Sequence, residues 1–295
     1  MRSLVIILVL CASASAQPQK VTVGIFTPTV EFGAATARLS YVKALANAIE
    51  QNTGLDVEAR SYANLAALKA DKVDFAIIDG PCVATNAGWR LLASALIGGS
   101  TTRAWALHSS AGTQMQGLRG KKLAYAQTGC NDAGFVDHAM LDGEVDVAFF
   151  GARVGKADLT AAVAEVASYK TAQAVFAPVG AAKGLTKVLE TGAVPNPAFV
   201  DVSGRLPAAT VDKVAAAVLG YGGGGAIAGW TKPSRDIYTS LAGRMSRSVK
   251  LGVFAAPEPV RIDARDVLIE PPSLRDSALV DVRHHFVRSP GARMQ

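Results

Sequence analysis

The chain has 295 residues, half of them apolar, which is enough to bury a large core and to build two lobes, so disorder throughout is excluded. Its 30 Lys and Arg against 24 Asp and Glu leave a formal net charge of +6. The basic excess is modest and scattered. Without a dense Lys/Arg run or an aromatic-interleaved basic patch, nucleic acid is excluded as a partner; solubility is the first meaning of the charge and attraction of small anions the second.

Residues 1–16 read as a secretory signal peptide. Arg2 gives a basic start, Leu4 to Leu10 is apolar, and Ala14-Ser15-Ala16 is a small-residue cleavage pattern before Gln17. A lipoprotein signal lipidated at Cys11 ranks second, because Leu10 stands where a small residue usually sits. The apolar run is too short for a bilayer span. The expected address is therefore the periplasm. Cys11 leaves with the leader, so Cys82 and Cys130 remain, too few for a disulfide scaffold.

In chain order, Lys20 to Phe26 alternates and is rich in Val and Ile, which predicts a strand ended by Thr27-Pro28-Thr29. Ala37 to Gln51 carries Leu39, Val42, Leu45, Ala46 and Ile49 at helical spacing, with a stop at Asn52-Thr53-Gly54. Leu55 to Ser61 predicts a second strand, and Leu65, Ala66 and Leu68 begin a short helix. Asp71 to Ala84 (DKVDFAIIDGPCVA) then reads as a buried strand that ends at Asp79-Gly80 and feeds a helix opened by Pro81. Strands alternating with helices imply parallel strands with right-handed crossovers. The carboxyl end of such a strand is where open α/β sheets bind ligands.

These residues resemble the first lobe of periplasmic substrate-binding proteins of the phosphate/phosphonate (PhnD-like) class. The similarity lies in a Ser-Tyr after strand two, a short helix, and a K-V-D-F-A strand ending in Gly-Pro. It continues through RAWALHS (Arg103 to Ser109), like the strand crossing between lobes. Leu118 to Tyr125 resembles the L-x-G-K opening of the second lobe, Leu206 to Leu219 the late helix, and Gly225 to Met245 the last helical region. The resemblance implies an α/β, two-lobed type 2 periplasmic-binding-protein fold, each lobe a mostly parallel sheet flanked by helices, with a ligand cleft between. The implied organisation is lobe 1 over residues 17–107 and 199–266, lobe 2 over 108–198, and a C-terminal tail over 267–295 that holds His284 and His285.

The residues of the second lobe support the same architecture. Lys122 to Ala126 predicts a strand, Gln127 to Asp132 a polar turn, and Phe135, Val136, Ala139 and Met140 one helical face. Asp146 to Phe150 predicts the next strand, Leu159 to Val166 a helix, and Ala174 to Ala177 a third strand. The glycine run Tyr221 to Gly229 follows a helical pattern, not a strand, and reads as an inter-helix loop rather than a phosphate loop.

The resemblance implies a solute-binding protein that closes about a hinge on a small polar or anionic ligand, phosphonate- or phosphate-like, for an ABC-transporter permease. It would act as a monomer, without catalytic chemistry, cofactor or metal. Expected ligand-binding residues are Thr27, Thr29, Tyr62, Asp79, Gly80 and Cys82 on the first lobe, and Gln127, Thr128, Gly129, Cys130 and Asn131 on the second. The second-lobe turn departs from the family's S-T-S-G. Thr128 keeps a hydroxyl, whereas Asp132 would repel an anion it faced, and helix capping by Asn131 or Asp132 is the preferred reading.

Asp79 is read equally as a ligand partner and as turn chemistry, and Tyr62 as a ligand contact or a core edge. Three readings of Cys82 and Cys130 stand in order: independent small residues at helix starts, an inter-lobe disulfide, and a thiolate pair for a soft metal with His108 or His138. Two rival functions remain: a ligand-sensing module for a membrane receptor, and a cysteine-dependent redox or metal-handling protein.

Overall fold

The structure is a computed structural model and describes residues 19–247 other than 144 and 147. The expected leader and the expected tail with its histidine pair lie outside the described residues.

The first half of the chain forms β1 (Lys20–Phe26), α1 (Ala35–Thr53), β2 (Asp56–Ser61), α2 (Leu65–Ala70), β3 (Phe75–Ile78), α3 (Gly80–Thr85) and β4 (Arg90–Leu96). Tyr41, Val42, Leu45, Ala46 and Ile49 form the buried face of α1. Gly54 ends that helix with φ 71°, its N–H donating to the Glu50 carbonyl, the left-handed stop that glycine adopts without a Cβ penalty. All four residues of β3 are buried, as a strand covered on both faces requires.

The chain then builds β5 (Thr102–Ser109), a 3-10 turn at Met115–Leu118, β6 (Lys122–Ala126) and α4 (Asp132–Gly134), which runs on into a π-helical turn at Phe135–Met140. Next come β7 (Ala152–Lys156), α5 (Leu159–Ala167), β8 (Ala174–Pro178) and β9 (Thr186–Pro195). The return part contributes β10 (Ala198–Asp201), α6 (Ala208–Leu219), β11 (Gly229–Thr231) and α7 (Arg235–Met245).

Two mixed sheets result, of order β11-β4-β10-β3-β1-β2 and β7-β6-β8-β5-β9. They share a plan. A central strand pairs in parallel with two neighbours, β1 with β2 and β3 in one sheet and β6 with β7 and β8 in the other, and the remaining pairs are antiparallel.

The chain passes between the sheets twice, from β4 to β5 and from β9 to β10. The first crossover falls earlier than the predicted boundary after Leu107, because β5 lies wholly in the second sheet, and Ala198 belongs to the first. The buried Asn196 joins the two passages. Its Nδ2 donates to the Ser100 carbonyl (2.7 Å), its Oδ1 accepts from Arg103 Nε (2.9 Å), and its carbonyl accepts from the Tyr238 hydroxyl (3.0 Å). Helix α7, which carries Tyr238, packs on both α3 and the π-helical turn. One hydrophobic cluster accordingly contains buried side chains of both lobes.

Two expected elements differ. Asp146 to Phe150 is not a strand at its described residues: the Phe149 N–H turns back to the Asp146 carbonyl, and Phe149 and Phe150 pack edge to face in the core. Their aromatic bulk gives the apolar density of a buried strand, while the partner of β6 is the less apolar β7 that follows. The glycine run joins a helix to a strand, α6 to β11, rather than two helices. Gly223, at φ 73°, lets the loop fold against Ala228, whose carbonyl carbon would lie 2.4 Å from an added Cβ.

Candidate functional site

Each central strand ends in a turn that points into the gap between the lobes. A pocket of about 310 Å³ lies there, walled by Phe26, Asn64 and Leu65 from the first lobe and by Gln127, Thr128, Gly129 and Ala157 from the second. The lobes also touch beside it, where the Leu159 N–H at the start of α5 donates to the Pro28 carbonyl (2.8 Å).

On the second lobe the turn after β6 is held by one carboxylate. Asp132 Oδ1 accepts from the Thr128 N–H (2.9 Å) and hydroxyl (2.6 Å), and Oδ2 accepts from the Gly129 N–H (2.9 Å). Asn131, at φ 60°, caps the helix by accepting from the Gly134 N–H (3.1 Å). The turn's convergent donors are thereby spent inside the chain. Gln127, by contrast, is exposed and lines the pocket, with its side chain packed over Gly155.

On the first lobe Asp79 plays the corresponding part. It accepts from the Thr29 N–H (2.7 Å), the Thr29 hydroxyl (2.6 Å) and the Gly80 N–H (2.9 Å). Asp79 is completely buried, and that burial pushes its carboxyl above the usual carboxylate range, against the pull of these bonds and of the Arg103 guanidinium. Arg103 is itself forced down by burial, offset by the charges of Asp79 and Glu31, and it donates to the Thr29 carbonyl (3.1 Å) as well as to Asn196. Asp79 and Arg103 therefore brace the first strand tip against the crossover. Gly80 is required there, since an added Cβ would lie 2.0 Å from the Pro195 carbonyl oxygen.

Of the other expected site residues, Thr27 is buried at the end of β1 with a hydroxyl that has no hydrogen-bond partner. Tyr62 turns away from a ligand role. Its hydroxyl donates to Asp71 (2.8 Å), its ring fills the space left by the missing side chain of Gly24, and burial pushes the phenol up to about 12.

Cys82 and Cys130 form a disulfide, Cα to Cα 5.0 Å, which overturns the first-ranked reading of independent thiols and removes the thiolate metal pair. The reason is topological: both fall just past strand tips that face each other. Their sulfurs are bonded to one another and buried, so neither cysteine is a ligand donor. His108 is buried within β5, where desolvation pushes its imidazole down, and His138 is half-buried in the π-helical turn. No group of three or more His, Cys, Asp or Glu among the described residues could hold a metal ion.

The expected residues that line the pocket are thus Gln127, Thr128 and Gly129; Thr29, Asp79 and Gly80 form the brace behind it. The lining residues not anticipated are Phe26, Ala63, Asn64, Leu65, Ala66 and Ala157. Asn64 was legible as an N-cap before the apolar Leu65, Ala66 and Leu68: its Oδ1 accepts from the Ala67 N–H (2.8 Å), which places it at the pocket rim.

This architecture is the type 2 periplasmic-binding-protein fold. Among solved structures, the chain is similar to the binding-protein component of an ABC phosphonate transporter from Pseudomonas aeruginosa (14% identity, TM-score 0.59, covering 75% of this chain and 83% of that one). It is also similar to PhnD1 from Prochlorococcus marinus in complex with methylphosphonate (12%, 0.59, 77% and 98%) and to a Xanthomonas citri protein bound to ATP (12%, 0.56, 77% and 97%). The PhnD-type fold expected from the sequence is the one found. No protein-family model matches the sequence, and comparison with curated proteins finds no match either. Among the described residues no helix is long and apolar enough to cross a membrane.

Proposed function

We propose that this protein is an extracytoplasmic solute-binding protein that captures a small polar molecule between its lobes, in the periplasm, for uptake by an ABC-transporter permease. The observation that carries this reading is the pocket itself, built from the strand tips of both lobes, where a ligand would touch two walls at once. The P. aeruginosa and P. marinus structures of the same fold support it by analogy. The protein works as a monomer and breaks no bond. Binding energy goes into the preference for the closed arrangement.

The inter-lobe disulfide limits that motion. With Cys82 tied to Cys130, the lobes stay together on the disulfide side of the gap, and solute exchanges past the rim formed by Asn64 and Gln127. A thermal-shift screen of polar solutes, charged and uncharged, tests the proposal. A ligand bound by the native state alone raises the melting temperature by mass action, whereas a flat response to every solute would remove the solute-binding reading.

A further inference from the structure

The proposal leaves the chemistry of the solute open, and the pocket walls narrow it. An oxyanion site needs convergent N–H and O–H donors, or a cation, free to meet the ligand. Here the donors of the β6 turn, the Thr128 N–H and hydroxyl and the Gly129 N–H, already end on the Asp132 carboxylate. The chain has supplied its own anion.

Several cations near the pocket are also engaged. Lys156, at the end of β7 beside the pocket, pairs with Glu165, and Arg153 on the same strand pairs with Asp137. Arg103, half-buried on the first-lobe side, donates to Thr29 and Asn196. None of the residues that line the pocket is charged. What the walls still offer is neutral: the side-chain amide of Gln127, and the Nδ2 of Asn64, whose oxygen alone is used in capping. An amide presents both a donor and an acceptor, which suits a hydroxyl or another amide and gives a dianion little.

We infer that the pocket takes a small uncharged polar solute, bearing hydroxyl or amide groups, and that Asp132 excludes phosphate-like oxyanions. This rests on the solute-binding reading above and specifies its ligand. It places the protein apart from the phosphonate-bound neighbour of the same fold, at the second-lobe turn where the sequence departs from the S-T-S-G of that class.

The test is calorimetric titration of the purified chain with two sets of probes, inorganic phosphate and methylphosphonate in one and erythritol, glucose and propionamide in the other. It is repeated on Asp132→Asn, which removes the charge but keeps one acceptor for the turn, and on Asp132→Ala, with circular dichroism to check folding. The expected result is that the wild type is blind to both oxyanions and binds at least one uncharged probe, and that Gln127→Ala weakens the uncharged probe about tenfold, the loss of one or two hydrogen bonds to the solute. Phosphate affinity should then appear in the Asp132 variants, more strongly in Asp132→Ala, which releases all three donors, than in Asp132→Asn, which removes the charge and keeps one acceptor.

Methylphosphonate or phosphate binding to the wild type would overturn the ligand class while leaving the solute-binding reading intact. Uncharged binding that survives Gln127→Ala unchanged would remove the amide wall from recognition. Folded Asp132 variants that remain blind to phosphate would overturn the role given to Asp132. Failure of every probe on the wild type, with phosphate gained by the variants, would support the exclusion and sink solute binding itself.

Discussion

At the tip of the first lobe Asp79 gathers the N–H and hydroxyl of Thr29 and the N–H of Gly80; at the tip of the second, Asp132 gathers the N–H and hydroxyl of Thr128 and the N–H of Gly129. The hydrogen-bond sets are the same, and the surroundings are not. Asp79 is fully buried, with a half-buried arginine close enough to act on it, whereas Asp132 is only partly buried and holds the Thr128 and Gly129 backbone that lines the pocket. A carboxylate that satisfies three donors is structural wherever water is absent, and it becomes a determinant of ligand charge where a solute can reach the turn. The comparison predicts that the first tip is sensitive to stability measurements and the second to binding measurements.

The most direct break in that comparison is Asp79→Ala. It leaves three buried donors unmet and should cost about 3 kcal/mol in denaturant unfolding, the upper end for unsatisfied buried hydrogen-bonding groups. A loss below about 1 kcal/mol would mean that the tip relaxes into solvent. The pH dependence sharpens the point. Because the folded carboxyl is raised, the native state holds its proton where the unfolded chain has released it. Its contribution is therefore full below the ordinary carboxylate value and lost as pH rises through the folded one. Asp79→Asn should flatten that acid-range fall, and an unchanged profile would assign it to another group.

Next comes the bond that ties the two tips together. Cys82 and Cys130 are separated by 48 positions, and closing a loop of that length stabilises the native state by about 3–4 kcal/mol through the entropy of the unfolded chain. Replacing both with alanine, or unfolding in the presence of a dithiol reductant, should lower stability by that amount. Thiol titration of the native protein should find no free thiol at Cys82 or Cys130. Two reactive thiols before reduction would remove the tie.

Gly80→Ala follows. Its Cβ would meet the backbone oxygen of Pro195 on the return crossover, which has no rotamer with which to yield, so about 3 kcal/mol is expected from overpacking. Thermal unfolding with and without Cys82 tied would show whether the crossover or the helix gives way.

How these parts were read from the sequence follows the same division. The first lobe was legible because its signals are local: alternation in Lys20 to Phe26, helical spacing from Leu39 to Ile49, and Asp79-Gly80-Pro81 as a strand stop, all of which the structure repeats. The antiparallel strands β4, β9 and β10 were not, because their partners are distant in sequence and their residues carry no period that a window can isolate. Phe149 and Phe150 misled because buried aromatic turns and buried strands share a composition.

At the site, Gln127, Thr128 and Gly129 were expected from the resemblance of the β6 turn to the family's S-T-S-G, and they line the pocket. The spending of their donors on Asp132 could be suspected only as repulsion or capping, and the disulfide required knowing that the two tips come within 5.0 Å of each other, Cα to Cα. Gly80 was chosen as a pocket residue, whereas its actual requirement is the close passage of Pro195, which no local pattern encodes.

The smallest expected effect lies at the matching glycine of the second tip. Gly129 has φ 69°, and nothing lies within 4 Å of the Cβ that alanine would add, so the only penalty is backbone strain in the left-handed region, about 1 kcal/mol. Gly129→Ala should therefore melt only a few degrees below the wild type, while the added methyl enters the pocket wall beside Gln127 and weakens the uncharged probe. The reverse pattern, a large loss of stability with binding intact, would show that the second tip braces the fold as the first does. In that case the contrast between Asp79 and Asp132 would be one of burial alone and not of role.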